Sequence, residues 1–411
     1  MTAIAFDLPS DVVAVRDGLL RFVEAEVAPR IERNHALLED ARRLFGADGS
    51  YAPEVRALIR EVRMASASAG FYAMCAPTSL GGGGLGHLAY YVAWEAVYRR
   101  LGGQAVLTPW VVSHWAFGPS PVLTQVTEEA RRRCLADMMA GRTSMCFGLS
   151  EPGAGSDASM IKTKAVRSGE GWKITGRKLW TTNAPTAEWC IVFAVTDPAR
   201  AEKKAGGISA FIVPTDAPGF CVESVVKLFG HPGGHEGALV LEDVQVEPWQ
   251  LVGQLDDGFK VALYGVSLGR VYNSARAVGQ GRWALELALD YAKQREAFGQ
   301  KIAEYQGVSF PLAQSAMELH AAHLMGLNAA MLLDRGERAV KELSMAKAYA
   351  VQAGYRAVDR AMQTHGGMGL TNEVGLVHAW QDLRIVNIAD GTNEILAKTV
   401  AQRLLGGDID L

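Results

Sequence analysis

The stretch GWKITGRKLW, residues 171–180, decides how the rest of the chain is read. It opens on glycine, is short, and carries tryptophan and isoleucine rather than the spaced leucines and alanines of a helix. Four similar runs follow at close intervals: Trp189–Thr196, Gly207–Val213, Phe220–Val226 and Ala238–Val246, with Gly, Pro and Asp between them. Enrichment in β-branched and aromatic residues between turn formers predicts strands. Five closely spaced strands predict a compact antiparallel barrel or sandwich within residues 144–254.

On both sides of this zone the pattern is helical. Val12, Val13, Leu19, Leu20, Phe22, Val23 and Val27 recur at helical spacing before Pro29, with Ser10 as the expected N-cap. A second helix is expected over His87–Leu101, after a run of glycines. Beyond residue 254 the spacing predicts long helices over Val271–Gln294, Ser309–Asp334, Lys341–Thr364 and Thr392–Leu405. The order divides the chain into a helical domain at 1–143, a β domain at 144–254 and a helical domain at 255–411.

Bulk properties narrow the function classes. Of 411 residues, 49% are hydrophobic and 21% charged, with a formal net charge of −3, so no global field favours nucleic acid or an anionic membrane. Anionic ligands would have to be met by local arginines, helix ends or amide nests. The five cysteines, at 75, 134, 146, 190 and 221, have neither metal-ligand spacing nor the even count of a disulfide framework. A reducing, cytoplasmic setting is expected, and the start MTAIAFDLPSD lacks the apolar core of a signal peptide. The longest apolar stretch, Ala321–Leu333, is broken by His323 and Asn328 and predicts a buried helix rather than a membrane span.

Two motif matches are declined. GGGGLG at 81–86 fits the spacing of a dinucleotide fingerprint but lacks the strand before it and the acid after it, so a tight turn into the next helix is expected. His231 and His235 stand four apart, yet the intervening Pro-Gly-Gly forbids the helix that would put both imidazoles on one face. His320 and His323 do fall on a predicted helix, where packed or hydrogen-bonded histidines are expected.

Three segments combine polar groups with unusual backbone freedom. SEPGAGSD (150–157) is a loop able to turn N–H groups and hydroxyls toward an anion or a polar ring edge, or simply a connection. WTTN (180–183) sets an aromatic plane beside hydroxyls at a strand end, which suits one face of a flat cofactor or a half-buried edge. DGTNE (390–394) places a carboxylate before a glycine and a helix start, where Thr392 or Asn393 would cap and free N–H groups would meet a polar ligand.

Taken together and in order, FGLSEPGAGSD, KLWTTNA, FIVPTDAPGF, QREAFGQKI, the glutamine of EYQG, QTHGGMG and IADGTNE resemble the acyl-CoA dehydrogenase family over nearly the whole chain. The resemblance implies an α+β architecture with an N-terminal helical domain, a middle β-barrel and a C-terminal four-helix bundle. It also implies FAD as cofactor, an acyl-CoA substrate, electron-transfer flavoprotein as electron acceptor, and a homotetramer or homodimer. Carried over by position, Ser150 would contact the flavin ring, Phe147, Leu149 and Ser156 would bind the cofactor beside it, and Trp180 and Thr182 would flank the ring, with Thr182 bonding near the reactive nitrogen. Arg295, Gln363, Gly366 and Gly367 would hold the FAD pyrophosphate, usually across a subunit boundary, and Phe298 would also bind the cofactor. Tyr305 and Gln306 would take the adenine end, and Thr392 and Asn393 would hold FAD from a helix start. Ser156, Gly391 and the segment Ser267–Arg270 would contact acyl-CoA.

One departure concerns the base. Most members carry glutamate before the Gly-Thr pair, where this chain has Asp390; the alternative position on an earlier helix is Gly269, which has no side chain. A branch of the family and the related nitroalkane oxidases use aspartate at that site. The resemblance thus makes Asp390 the α-proton acceptor and implies that its backbone N–H, with a flavin ribityl hydroxyl, holds the thioester carbonyl. A nitroalkane-oxidase-like flavin oxidase and a non-catalytic acyl-CoA-binding member are the rival functions.

Overall fold

The computed structural model describes residues 7–103 and 106–410. The chain forms two compact units: one of Met1–Pro29, Leu85–Thr108 and Gly269–Leu411, the other of Arg30–Gly84 and Pro109–Leu268.

The second unit is built on a sheet of eight strands: β1 Met145–Gly148, β2 Lys164–Ser168, β3 Gly171–Thr182, β4 Trp189–Val195, β5 Ile208–Pro214, β6 Phe220–Val226, β7 Glu236–Val246 and β8 Leu251–Val252. Their order is β6-β7-β3-β2-β4-β5-β8, with β1 alongside β4. All five expected strands are present. The sheet is nonetheless mixed rather than antiparallel, because β1 and β2 both run parallel to β4. Nor do its end strands β6 and β8 pair with each other among the described residues, so hydrogen bonding does not close it into a barrel. The three strands missed in the sequence are four, five and two residues long, too short for an alternation to register. A core of Cys146, Ile174, Val192, Phe211, Val213, Leu241 and Val244, all essentially inaccessible, fills the inner face.

The first unit is helical: α1 Ser10–Phe22, α3 Gly86–Leu101, α5 Gln306–Asp334, α6 Val340–His365, α7 Leu376–Val386 and α8 Asn393–Leu405, with the part of α4 (Gly258–Gln294) from Gly269 onward. Helix α2, Pro53–Ser68, belongs to the sheet unit. The bundle core is rich in alanine: Ala277, Ala284, Ala288, Ala322, Ala350, Ala353 and Ala361 pack with Val278, Val351, Val358 and Leu383. Small side chains let helix backbones approach closely. A Cβ on Gly354 would meet the Ala277 carbonyl oxygen at 2.4 Å, so α4 and α6 nearly touch there.

Three boundaries differ from expectation. Ser10 is the first residue of α1, whose N-cap is Pro9, so no serine side chain caps that helix. Helix α4 starts at Gly258, thirteen residues before the expected Val271; Gly258, Gly265 and Gly269 depress helix propensity there. Those glycines answer to packing, since a Cβ on Gly265 would meet the Trp115 ring at 2.7 Å. Helix α5 begins at Gln306 and carries Pro311 inside it, which made the sequence read as starting later. Helix α7, a single eleven-residue element, was not foreseen.

Candidate active site

Among the described residues nine non-glycine residues have positive φ, and three of them, Trp180 (+63°), Phe298 (+52°) and Asp390 (+53°), are positions singled out from the sequence. A left-handed backbone at a bulky residue costs on the order of 1–3 kcal/mol and persists where surrounding structure over-determines it, often at functional sites.

In the sheet unit, β3 slips register against β7 between Lys178 and Thr181, a bulge that contains Trp180. The extra residue re-aims the indole, which stays 52% exposed on a strand whose neighbours Lys178 and Thr181 are buried. Thr182 follows, half-buried, and Thr181 Oγ1 is buried with no hydrogen-bond partner. Beside the bulge runs the 150–157 loop. Its backbone folds on itself through Glu151 N–H to Ala154 O and Ala154 N–H to Glu151 O, both 3.0 Å, and joins β3 through Leu179 N–H to Ser150 O at 2.9 Å. Gly153 and Gly155 face open space and Ser156 is exposed. Phe147 packs edge-on against Trp115 (5.0 Å between centroids) and against Phe193 (4.8 Å).

Sequence reading missed what holds this loop. Lys178 Nζ, fully buried, donates to Glu151 Oε1 at 2.8 Å and to the Leu149 carbonyl at 3.2 Å. The Glu151 carboxylate also accepts the N–H groups of Lys162 (2.6 Å) and Thr163 (2.9 Å). Burial opposes ionisation of Glu151, but the Lys178 charge and these bonds outweigh it and hold the carboxyl below its usual range. Burial brings Lys178 down to about 8 against the pull of Glu151. A lysine two residues before an exposed tryptophan on a bulged strand was the available signal.

The helical unit holds the 390–394 turn. Thr392 is the N-cap of α8, accepting from Ile395 N–H at 3.3 Å. Asn393 Nδ2 donates to Asn387 Oδ1 at 2.5 Å, leaving Asn393 Oδ1 buried and without a partner. Asp390 is half-buried, and Asn273 Nδ2, on α4, donates to its Oδ2 at 2.8 Å. Oδ1 has no hydrogen bond among the described residues. The Ile388 and Ala389 N–H groups both return to Ile385 O, whereas the Asp390 N–H has no backbone acceptor among the described residues. Lys347, buried on α6, donates from Nζ to Gly391 O at 2.8 Å.

Two cations therefore flank one carboxylate. Burial raises the Asp390 pKa above the ordinary carboxylate value, against the Lys347 and Arg270 charges, the Asn273 bond and Arg276. Lys347 is lowered by burial to about 8, with Asp390 opposing. Arg270 sends a long bond, 3.4 Å, from Nη1 to Ser344 Oγ, and its buried Nε has no partner. Its guanidinium is lowered by burial and sustained by the Asp390 charge. Lys347 was legible in principle, since it interrupts the buried stripe Leu343, Ala346, Ala350, Val351 and Gly354 on α6.

The remaining positions split by place. Phe298 lies at the tip of the Glu296–Lys301 hairpin and is 96% exposed, and Tyr305 bridges back from its hydroxyl to Ala297 O at 3.0 Å. Arg295, Gln306, Gln363, Gly366 and Gly367 are exposed, and both glycines face open space. Tyr291 stacks on His365 with centroids 4.5 Å apart, which brings the end of α4, just before Arg295, to the end of α6, which carries Gln363 and is followed by Gly366. Ser267, in the sheet unit, spends its hydroxyl on Leu263 O of its own helix at 2.9 Å. Of the declined histidines, His235 hydrogen-bonds Tyr51 (3.3 Å) and ion-pairs with Glu236 (3.0 Å), and His323 hydrogen-bonds Tyr91 (3.2 Å).

These features fit FAD. In the sheet unit an exposed indole on a bulge offers a ring face and Thr181 Oγ1 is a buried polar atom without a partner; in the helical unit, taken by itself, exposed Phe298, the open Gly366 and Gly367 and the orphaned Asn393 Oδ1 offer groups of the same kind.

Sequence models of the N-terminal, middle and C-terminal domains of acyl-CoA dehydrogenases match residues 10–142, 146–244 and 256–405. The chain belongs to the acyl-CoA dehydrogenase family, whose members are FAD-dependent oxidoreductases acting on CH–CH bonds. It is 35% identical over 400 residues to "Probable acyl-CoA dehydrogenase YngJ" of Bacillus subtilis (strain 168), covering 97% of this chain and 99% of that one. It is 33% identical to the "Caffeyl-CoA reductase-Etf complex subunit CarC" of Acetobacterium woodii, over 84% of this chain and 90% of that protein. The solved structure of butyryl-CoA dehydrogenase from Megasphaera elsdenii superposes with a TM-score of 0.82 at 27% identity, covering 98% of this chain and all of the other.

Proposed function

We propose that this protein catalyses α,β-dehydrogenation of an acyl-CoA thioester to the trans-2-enoyl-CoA, with Asp390 as the α-proton acceptor. The observation that carries the reading is Asp390 itself. It is a half-buried carboxylate whose pKa burial raises, held in a left-handed turn, with one oxygen bonded and the other free. A base works best when its pKa approaches the operating pH, and desolvation moves a carboxylate in that direction. Its unengaged backbone N–H is suited to the thioester carbonyl, where a preoriented donor stabilises the developing enolate; losing such a donor costs on the order of a hundredfold or more.

Ser150, Trp180, Thr182, Arg295, Gln363, Thr392 and Asn393 are the residues we assign to FAD, with Phe147, Leu149, Phe298, Tyr305, Gln306, Gly366 and Gly367 around them. When bound, FAD supplies the hydride acceptor that no side chain provides. Ser156, Ser267, Arg270 and Gly391 are assigned to acyl-CoA. Electron-transfer flavoprotein is the proposed acceptor, a choice supported by the relative named for an Etf complex. Exposed Phe298, Phe310, Met317, Leu370 and Leu405 support assembly into a homodimer or homotetramer. Five free cysteines suit a reducing, cytoplasmic setting, and among the described residues no helix is long and apolar enough to cross a membrane.

Aspartate is one methylene shorter than glutamate, which leaves room beside the base for a substituted or branched acyl chain. Turnover of straight-chain, branched and hydroxylated acyl-CoAs with electron-transfer flavoprotein as acceptor is expected to favour a substituted chain. A sharp preference for unsubstituted chains would contradict the room, and faster reoxidation by O₂ than by the flavoprotein would mark an oxidase instead.

A further inference from the structure

We propose that Asn273 is the positioning residue that lets an aspartate serve as the base at position 390, by clamping Oδ2 so that Oδ1 alone is presented to the α-proton. The proposal rests on the reading of Asp390 as the base. The contact is short, 2.8 Å, and Asn273 is only 3% exposed, so water does not compete for the carboxylate oxygen. A bond to Oδ2 restrains both torsions of the short side chain, χ1 and the rotation of the carboxyl group, which are all that remain once the backbone is set.

The clamp is itself held in register. Asn273, Arg276 and Gln280 fall three and four residues apart on one face of α4. Arg276 Nε and Gln280 Nε2 both donate to Asp382 Oδ2 of α7, at 2.8 and 2.7 Å. These two bonds fix how far along the 382–390 segment α4 can slide, and so set Asn273 opposite Asp390. From the other side, Lys347 holds the Gly391 carbonyl. With φ of +53° at Asp390 and +97° at Gly391, the turn aims a short side chain from a fixed origin. Reacting groups misplaced by about an ångström lose on the order of a hundredfold in rate, so a base with less reach needs this support.

The choice of an amide follows from charge. Arg270 and Arg276 on α4 and Lys347 on α6 already face Asp390, with the Tyr272 hydroxyl nearby and Glu394 acting on Lys347. A further cation at position 273 would suppress the basicity of the carboxylate. An uncharged N–H donor orients it with a smaller cost to basicity.

Asn273→Leu removes the amide while keeping the same number and branching of heavy atoms, and Asn273→Asp keeps the shape while replacing the donor with a second carboxyl. Each holoenzyme is assayed for kcat and KM against pH, FAD absorbance and melting temperature. The Asp390 carboxyl is also titrated by 13C NMR of aspartate-labelled protein, with Asp390→Asn assigning the resonance. Both variants are expected to keep FAD. The Asp390 titration and the acid limb of kcat/KM should move to higher pH, further in Asn273→Asp because two touching carboxyls cannot both ionise. On the alkaline plateau kcat should fall about tenfold to a hundredfold with KM little changed. A wild-type limb and plateau in either folded variant overturns the clamp, and failure of both variants to fold makes Asn273 structural and overturns it equally. Turnover surviving in Asp390→Asn would instead overturn the underlying assignment of the base.

Discussion

Asp390→Asn is expected to lower kcat/KM for acyl-CoA by about ten-thousandfold while FAD remains bound. The amide is isosteric and accepts a hydrogen bond from Asn273 in the same geometry, so the turn survives. It has no basic lone pair for the α-proton. Arg270 and Lys347 then lose their shared counter-charge, and the partnerless Arg270 Nε is left in a more positive setting. Part of the effect would therefore be seen as a modest loss of thermal stability. Asp390→Glu makes a graded comparison. Glutamate gains reach but must leave the Asn273 clamp, and in a left-handed backbone it gives up the local hydrogen bonding that lets aspartate tolerate that conformation. An intermediate rate is expected, below wild type and well above the asparagine variant. Steady-state kinetics with electron-transfer flavoprotein, alongside the 450 nm absorbance of the purified protein, measures all three.

The largest stability effect is expected in the sheet unit. Lys178→Met removes the ammonium that neutralises Glu151 while leaving a buried carboxylate behind. Breaking a buried ion pair from one side costs about 3–5 kcal/mol. Two backbone N–H bonds, from Lys162 and Thr163, still reach Glu151, so the lower part of that range applies. The melting temperature should drop by about 4 °C for a chain of this size. The Leu149–Glu151 loop also loses a tie to β3, so FAD affinity should fall with stability. Differential scanning fluorimetry with and without added FAD separates the two effects. An unchanged melting temperature would show that the pair contributes nothing net.

Much of the architecture was legible because periodicity changes along the chain. Helices, then short β-rich runs, then long helices appear in that order along the chain in the structure. Strands β1, β2 and β8 were not legible, because recruitment of Met145–Gly148 beside β4 depends on tertiary pairing rather than on its own four residues. The early start of α4 was hidden by glycines that serve packing against Trp115 and the Ser209–Ala210 backbone.

At the candidate site, Asp390, Trp180 and Thr392 stood out only through the order of their motifs and the family resemblance that order carries, because each motif alone reads equally well as a helix start or a half-buried strand end. Their supports did not. Lys178, Asn273 and Lys347 act through partners 27, 117 and 44 residues away in the chain, and no local pattern encodes such contacts. Lys347 came nearest to legibility, as a charge on an otherwise apolar stripe. Asn273 offered nothing beyond its spacing from Arg270.

Anaerobic mixing of acyl-CoA thioesters with the purified yellow protein, wild type beside Asp390→Asn, tests the central assignment most directly. The account predicts rapid loss of the 450 nm band in wild type and a persistent yellow colour in the variant despite bound thioester. Equal bleaching of the two proteins would show that another group takes the α-proton.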